Sequence, residues 1–258
     1  MKKNFWRKIT CALLVVVLIA IPIAVPVSSA QQTQNQVFSD VAEDHWAYDY
    51  IYKFQELKIV DGYPDGTFRP DKEVTTAEFI KMVSIIYWMA FGGKYKRTLE
   101  NYIDENGQEK IREKPISEVY RGHWAEKYLQ SLDSVIYADR YTPEILDMAI
   151  TREEASDILF NCYMLTNRSD PTREAFNDTE MYLKEFSDET DISDTWRDYR
   201  RCLNGCIQYG FFTGFDDGKL RPQANLTRAQ AAKIISIYYD KLYSYMKSTM
   251  GSNWVWEH

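Results

Sequence analysis

A helix-start pattern recurs three times along this chain and constrains its fold more than any other feature. The pattern is Thr-x-x-Glu or Thr-x-x-Gln, the spacing of a capping box, in which the threonine hydroxyl caps a backbone N–H and the third side chain reaches back. Apolar residues follow at the eighth and eleventh positions after each threonine, which predicts three helices that bury corresponding faces. The threonines are Thr75, Thr151 and Thr227, and the buried positions are Val83, Leu159 and Ile235, then Ile86, Cys162 and Tyr238.

The first copy is preceded by another helix and a sharp turn. Apolar side chains recur at three- to four-residue spacing from Ala47 to Leu57, which predicts one buried helix face. The sequence from Gly62 to Gly66 then ends the helix, because Pro64 fixes φ and Gly66 permits a positive φ. This stretch therefore predicts a helix, a tight turn with a short extended exit, and a second helix.

The same order of features divides the chain into three unequal segments. Segment one spans residues 37–92, segment two 116–165 and segment three 186–240. The connections are 93–115, which is strongly charged and predicted to be partly helical at most, and 166–185; a C-terminal extension covers 241–258. Segment two lacks the glycine-rich turn and has Asp-Arg-Tyr-Thr-Pro at 139–143 instead, so it is a degenerate copy. Three copies can bury against each other faces that one copy could not, which predicts a mainly α fold.

The N-terminal 30 residues are excluded from the fold. A basic start, an apolar run and Ser28-Ser29-Ala30 form the pattern of a cleaved secretory signal peptide, and the alternative is an uncleaved membrane anchor. A polar linker, 31–36, follows. The formal net charge is −7, and it is about −11 without the four basic residues of 1–30. This charge argues against a nucleic-acid partner, and membrane contact is expected only through an uncleaved N-terminal segment.

The three segments resemble the S-layer homology family, whose modules hold bacterial surface proteins on the cell wall. The resemblance rests on Phe-Ser-Asp-Val at 38–41, Gly-Tyr-Pro-Asp-Gly-Thr-Phe-Arg-Pro at 62–70, and the related turn at 210–222. It implies three helix–turn–helix modules packed as a pseudo-threefold helical bundle. It also implies that grooves of this bundle bind a secondary cell-wall polysaccharide, often one that carries pyruvyl ketals.

The resemblance further implies a glycan contact by the residue that follows the capping threonine. This residue is Arg152 in segment two and Arg228 in segment three, but Thr76 in segment one. A guanidinium beside free backbone N–H groups at a helix start could grip a carboxylate, and the alternative is a solvated surface arginine. Segment one thus keeps the turn without the cation, and segment two keeps the cation without the turn. Complete sites would have to combine parts of different segments.

The remaining glycan contacts are expected on the two glycine-rich turns. They are Gly62, Asp65 and Arg69 in segment one, and Gly214, Asp217 and Arg221 in segment three. The glycines first serve the backbone turn, and the resemblance adds that a missing side chain would admit sugar there. The two arginines could face either solvent or ligand.

Three tryptophans and two histidines occupy helix starts. For Trp46, Trp124 and Trp196 we favour a role as core anchors over stacking on sugar rings. His45 and His123 precede tryptophan in two segments, and this duplication indicates a structural role.

No cofactor or catalytic activity is indicated. Cys162, Cys202 and Cys206 are expected to be buried thiols, with a bridge from Cys162 to either of the others as the alternative. Their spacing does not suit zinc, so no metal site is expected. The chain has no His-Glu-x-x-His, Gly-x-Ser-x-Gly or phosphate-loop motif, and no enzyme is predicted.

The sequence therefore predicts a secreted protein of the cell wall or cell surface. Its function would be non-covalent anchoring to a wall glycan, with other envelope proteins as further partners. The alternative is an envelope scaffold that keeps the fold, binds protein and has lost most of its glycan affinity.

Overall fold

The computed structural model describes residues 38–90, 99–113, 117–166, 176, 180–195 and 198–251. These residues are mainly helical. The longer helices are α1 (Tyr48–Glu56), α2 (Thr76–Ala90), α3 (Glu126–Ile136), α5 (Arg152–Thr166), α6 (Tyr199–Gln208) and α7 (Arg228–Met250), and α4 (Pro143–Asp147) is a single short turn of helix. Helices α2, α5 and α7 are the three that the capping pattern predicts, and α7 continues well past Asp240, as expected.

The predicted capping boxes are present at the start of all three of these helices. In each, the threonine hydroxyl accepts a bond from the backbone N–H three residues later, and the side chain at that third residue accepts one from the threonine N–H. The hydroxyl contacts are 3.2 Å at Thr75, 3.3 Å at Thr151 and 3.2 Å at Thr227. The reciprocal bonds reach Glu78, Glu154 and Gln230 at 2.9, 2.9 and 3.2 Å.

A closed ring of backbone hydrogen bonds joins the chain just before the three caps. The N–H of Val74 donates to Leu226 (2.9 Å), that of Leu226 to Ile150 (3.0 Å), and that of Ile150 to Val74 (3.0 Å). All three side chains are fully buried. Because each member donates to one neighbour and accepts from the other, the three helix starts are related by an approximate threefold arrangement.

The core contains the residues that the spacing of apolar positions selects. The side chains at the eighth and eleventh positions after the threonines are inaccessible to solvent in α2, α5 and α7. The face predicted along α1 is buried at Ala47, Ile51 and Phe54, and Leu57 at its end is half-buried. Cys162, Cys202 and Cys206 are buried free thiols, as expected. Burial raises the pKa of all three thiols.

The charged connection after segment one differs from its prediction. Instead of partial helix it contains an antiparallel hairpin, β1 (Leu99–Ile103) and β2 (Glu109–Glu113). The Asn106-Gly107 turn signal is correct, since Gly107 has φ of 75° and the Asp104 carboxylate accepts bonds from the N–H groups of Asn106 (2.8 Å) and Gln108 (2.9 Å). The abundance of charge misled the prediction, because a two-stranded ribbon exposed to solvent tolerates charged side chains.

Several expectations concern residues outside the described part of the chain. They are the signal peptide, the linker 31–36, the position of Trp196, and the part of the C-terminal extension beyond Gly251. Within the described ranges, no helix has both the length and the apolarity that crossing a membrane requires.

Candidate functional site: two grooves between segments

The two glycine-rich turns have the same backbone construction. In segment one, the Tyr63 N–H donates to the Thr67 carbonyl (2.8 Å) and the Gly66 N–H to the Tyr63 carbonyl (3.0 Å); Phe215, Lys219 and Gly218 repeat this pattern in segment three at 2.8 and 2.9 Å. Gly66 and Gly218 have φ of 80° and 72°, the left-handed region that glycine favours. The turn prediction is therefore confirmed in both segments.

An aspartate carboxylate holds each turn against the start of its segment; Asp40 is exposed and Asp188 is buried. In segment one the two oxygens of Asp40 accept bonds from the N–H groups of Phe68 and Arg69, both at 2.7 Å. Asp188 does the same for the corresponding residues of segment three at 2.7 and 2.8 Å. Glu118 stands at this position in segment two and instead pairs with Arg121 at the surface.

Gly62 and Gly214 are needed for packing against an aromatic ring. A Cβ on Gly62 would lie 2.2 Å from Cε1 of Phe38, and one on Gly214 would lie 2.1 Å from Cε1 of Phe186. Each glycine therefore lets an aromatic ring approach the backbone. Both glycines also line the grooves, and their contact with sugar stays a prediction.

The turn of segment one is completed by an arginine from segment three. Arg228 is only 4% exposed. Its Nε donates to the carbonyl of Phe68 (2.9 Å), its Nη2 to the carbonyl of Asp61 (2.7 Å), and its Nη1 to the Glu78 carboxylate (3.0 Å). We call the cleft beside it the Gly62 groove. Its volume is about 170 Å³, and its lining includes Lys81 and Trp124.

The turn of segment three is completed in the same way by segment two. Arg152 is 5% exposed, and it donates from Nε to the Leu220 carbonyl (2.8 Å) and from Nη2 to the Thr213 carbonyl (3.0 Å). We call the adjoining cleft the Gly214 groove. It has a volume of about 230 Å³ and is lined by aromatic and aliphatic side chains together with Arg152, Gln230 and Lys233.

Arg152 and Arg228 therefore line the grooves, but their surroundings differ from both alternatives that the sequence suggests. Neither is a solvated surface side chain, and their backbone N–H groups are not free at the helix start. The N–H of Arg152 donates to the carbonyl of Ala224 (3.0 Å) and that of Arg228 to the carbonyl of Lys72 (2.8 Å). Their first role is to hold the turn of a neighbouring segment, because the guanidinium fork can satisfy several carbonyls at once.

The tryptophan prediction is wrong for both residues that the structure describes. Trp46 is 55% exposed and lines the Gly214 groove, and Trp124 is 52% exposed and lines the Gly62 groove. The next residue in each case, Ala47 or Ala125, fills the buried position at the helix start. The small alanine packs closely there, and the larger ring stays at the surface.

The two histidines have the structural role that their duplication indicates. Nδ1 of His45 accepts a bond from the N–H of Ala47, and Nδ1 of His123 accepts one from the N–H of Ala125, both at 3.1 Å. Each imidazole ring also lies beside the following indole, with ring centroids 5.7 and 5.6 Å apart. The histidine thus positions the tryptophan at the edge of the groove.

The charged turn residues pair with each other beside the grooves. Arg69 donates to Asp65 and Arg221 donates to Asp217, both at 2.8 Å, and all four side chains are close to half exposed. The guanidinium of Arg69 also lies 3.9 Å from the ring centre of Tyr63, and that of Arg221 lies 4.1 Å from the ring centre of Phe215. None of the four charged residues lines either cavity. Their contact with glycan stays a prediction.

The third junction, where α2 meets segment two, lacks both halves of this construction. Thr76 occupies the position of the two arginines, and both its N–H and its hydroxyl donate to the carbonyl of Met148, at 2.9 and 3.3 Å. A 3₁₀ turn at Ala138–Arg140 and helix α4 replace the glycine-rich turn. The junction without a glycine-rich turn is therefore also the one without the arginine, and each of the other two junctions has both.

Sequence reasoning missed the two groove lysines. Lys81 and Lys233 each lie six residues after a capping threonine, so aligning the segments by their caps would have paired them. Segment two has a buried Asp157 at this position. Tyr63 and Phe215, which follow the first turn glycine, also line the grooves and pack against the arginines at ring-centre distances of 5.1 and 5.0 Å.

Comparison with known proteins agrees with this geometry. A family model for the S-layer homology domain matches residues 37–80 and 190–232, which lie in segments one and three. The cellulosome-anchoring protein of Acetivibrio thermocellus is 33% identical over 142 residues, which cover 55% of this chain and 28% of that protein. The S-layer protein of Bacillus licheniformis is 23% identical over 245 residues, or 94% of this chain and 24% of that protein.

A shorter similarity concerns the outer membrane protein alpha of Thermotoga maritima, which is 47% identical over 47 residues, 18% of this chain and 12% of that protein. The chain spans less than a third of each of these three relatives. The shared sequence is therefore one part of each of these larger proteins.

Proposed function

Since residues 37–80 and 190–232 match the family model for the S-layer homology domain, we propose that this chain anchors itself non-covalently to a secondary cell-wall polysaccharide at the cell surface. The observation that carries the proposal is the shared construction of the Gly62 and Gly214 grooves. Each combines a buried arginine, a lysine and a half-exposed indole from different segments. The cell-surface relatives, an anchoring protein and an S-layer protein, support the same place of action.

The chemistry of the grooves suits a saccharide that carries acid groups. An indole that is half exposed offers an apolar face and an N–H donor, which suits the mixed surface of a sugar ring. Arg152 and Lys233 in the Gly214 groove offer cationic donors for a carboxylate such as that of a pyruvyl ketal. The chain as a whole is acidic, so these local cations have to act at short range.

We further propose that segment two is a degenerate third copy and that only two grooves bind glycan. The hydrogen-bond ring through Ile150 and the capping box at Thr151 support its descent from the same unit. The substitution of Thr76 and the replaced turn remove the parts that the other two junctions share. No catalytic step is proposed for either groove.

A wall-binding assay with matched variants tests the proposal. The full chain and the double variant Trp46→Ala/Trp124→Ala are incubated with purified wall sacculi, either intact or stripped of secondary polymer. Tyr137→Ala is the control, because Tyr137 is 65% exposed and lines neither groove. Arg228→Ala is a poor first variant, since it also breaks the packing of a turn.

We expect retention on intact walls by the wild type and by Tyr137→Ala. Retention should fall about tenfold or more in the double tryptophan variant, and on stripped walls it should be lost. Equal retention on intact and stripped walls would contradict glycan anchoring. It would favour the scaffold that binds a protein of the envelope, for which the unused third junction offers a separate surface.

A further inference from the structure

The two grooves share their shape but not their balance of charge. In the Gly62 groove every cation has a carboxylate beside it. Nη1 of Arg228 donates to Glu78 at 3.0 Å, and Nζ of Lys81 donates to the side chain of Asp61. All four residues line the same cavity. The groove is therefore neutral as a whole, and its cations are already engaged.

The Gly214 groove lacks both of these carboxylates. Gln230 occupies the position of Glu78, and Thr213 occupies the position of Asp61. No aspartate or glutamate is among the residues that line the cavity. Within the described part of the chain, neither Arg152 nor Lys233 forms an ion pair. Two cations thus face this groove, and no carboxylate is part of its lining.

The surroundings of Arg152 are those of a buried charge that lacks a partner. Burial lowers the pKa of its guanidinium to about 10, with a smaller contribution in the same direction from nearby Arg221. The carboxylate of Asp188 acts in the opposite sense, but its two oxygens already accept bonds from the N–H groups of Leu220 and Arg221. Nη1 of Arg152, which corresponds to the atom that meets Glu78 in the other groove, has no acceptor among the described residues. A ligand carboxylate would supply the missing acceptor and counter-charge.

We propose that the two grooves are specialised, so that the Gly214 groove takes the acid-bearing residue of a wall glycan and the Gly62 groove takes an uncharged stretch of glycan. The residue at the third position of the helix, Gln230 in one groove and Glu78 in the other, determines this difference. The inference rests on the proposed glycan-binding function and adds to it that the two sites prefer different parts of the glycan.

The capping box tolerates either glutamate or glutamine at positions 78 and 230. Both glutamate and glutamine accept the reciprocal bond at this position, as Glu78, Glu154 and Gln230 demonstrate in three helices of this protein. Gln230→Glu and Glu78→Gln should therefore fold normally while they exchange the charge of the two grooves. Glu154→Gln is the matched control, because it removes the same charge at the third junction, where Thr76 replaces the arginine.

Site-resolved titration of the two indoles provides the readout. Trp46 lines the Gly214 groove and Trp124 the Gly62 groove, so each indole N–H resonance reports on one site. The full chain, labelled with nitrogen-15, is titrated with a hexosamine methyl glycoside that carries a pyruvyl ketal. A second titration uses the methyl ester of the same glycoside, which keeps the shape and removes the charge. Trp→Phe variants assign the two resonances.

We expect the acidic glycoside to shift the Trp46 resonance with a Kd about tenfold lower than that of Trp124, because a charge-assisted bond is stronger than a neutral one. The ester should remove this preference. Gln230→Glu should raise the Kd at Trp46 about tenfold, Glu78→Gln should lower the Kd at Trp124, and Glu154→Gln should change neither.

Two different failures can be told apart. If both indoles respond to the acidic glycoside with the same Kd and the two exchanges leave that ratio unchanged, the specialisation is wrong and glycan binding stands. If neither indole responds to either glycoside and the walls are not bound, the proposed function fails and this inference fails with it.

Discussion

The two groove junctions differ from the third junction in two features, a buried arginine and a glycine-rich turn, and the third junction lacks both. At the grooves, a buried arginine donates to the carbonyls of a glycine-rich turn from another segment. At the third junction neither the arginine nor the turn is present, and Thr76 donates to Met148 instead. The arginine or the turn alone would lower the free energy of unfolding, because a buried guanidinium needs acceptors and buried carbonyls need donors. The comparison teaches that the arginine and the turn form one unit, although they lie far apart in the sequence.

The largest expected effect comes from breaking that unit at an intact groove. Arg228→Ala removes the donors to Asp61 and Phe68 and leaves Glu78 without its partner. We expect a loss of about 3–5 kcal/mol in the free energy of unfolding, measured by urea denaturation. Thr76→Ala, at the equivalent position of the third junction, should cost about 1 kcal/mol. Equal losses at the two positions would contradict the comparison.

A smaller effect is expected when the arginine is placed where no turn receives it. Thr76→Arg puts a long cation at a site that is 3% exposed and has one carbonyl acceptor. Overpacking and the unmatched charge should lower the free energy of unfolding by about 1–3 kcal/mol. Thermal unfolding followed by circular dichroism measures this change. A variant as stable as the wild type would mean that the third junction can accept an arginine without its turn.

Local features of this architecture could be predicted from the sequence, and contacts between segments could not. The capping boxes at Thr75, Thr151 and Thr227 follow from four-residue patterns, so propensity alone locates them. That Arg228 serves the turn of segment one depends on packing between residues more than 150 positions apart, as the Arg228–Phe68 bond illustrates. No local pattern encodes such a pairing. Only the threefold arrangement brings the two together.

Two predictions are wrong for different physical reasons. Trp46 and Trp124 occupy repeated helix starts, which favours core anchors, yet the alanine after each tryptophan takes the buried position. A shift of one residue at a helix start changes the face that a side chain occupies. The connection at 99–113 is strongly charged, which argues against regular structure, but its Asn-Gly turn joins two strands of a hairpin.

The smallest effect concerns the exposed Asp65 of the glycine-rich turn in segment one, a turn that segment two lacks. The carboxylate of Asp65 accepts bonds from the hydroxyl of Thr67 (2.6 Å), the guanidinium of Arg69 (2.8 Å) and the N–H of Thr67 (3.0 Å), and these bonds lower its pKa from 3.8 to about 2. A carboxyl group whose pKa is lowered by folding stabilises the protein above its unfolded pKa, and this contribution is lost as the pH falls from about 4 towards 2.

Asp65→Asn should therefore lower the free energy of unfolding slightly at neutral pH and make its loss between pH 4 and 2 shallower than in the wild type. Because Asp65 is solvent-exposed, the change should be smaller than either of the two above, and urea denaturation at a series of pH values measures it. An unchanged pH profile would mean that the turn does not depend on this carboxylate, which would leave Asp65 available for the glycan contact that the sequence suggests.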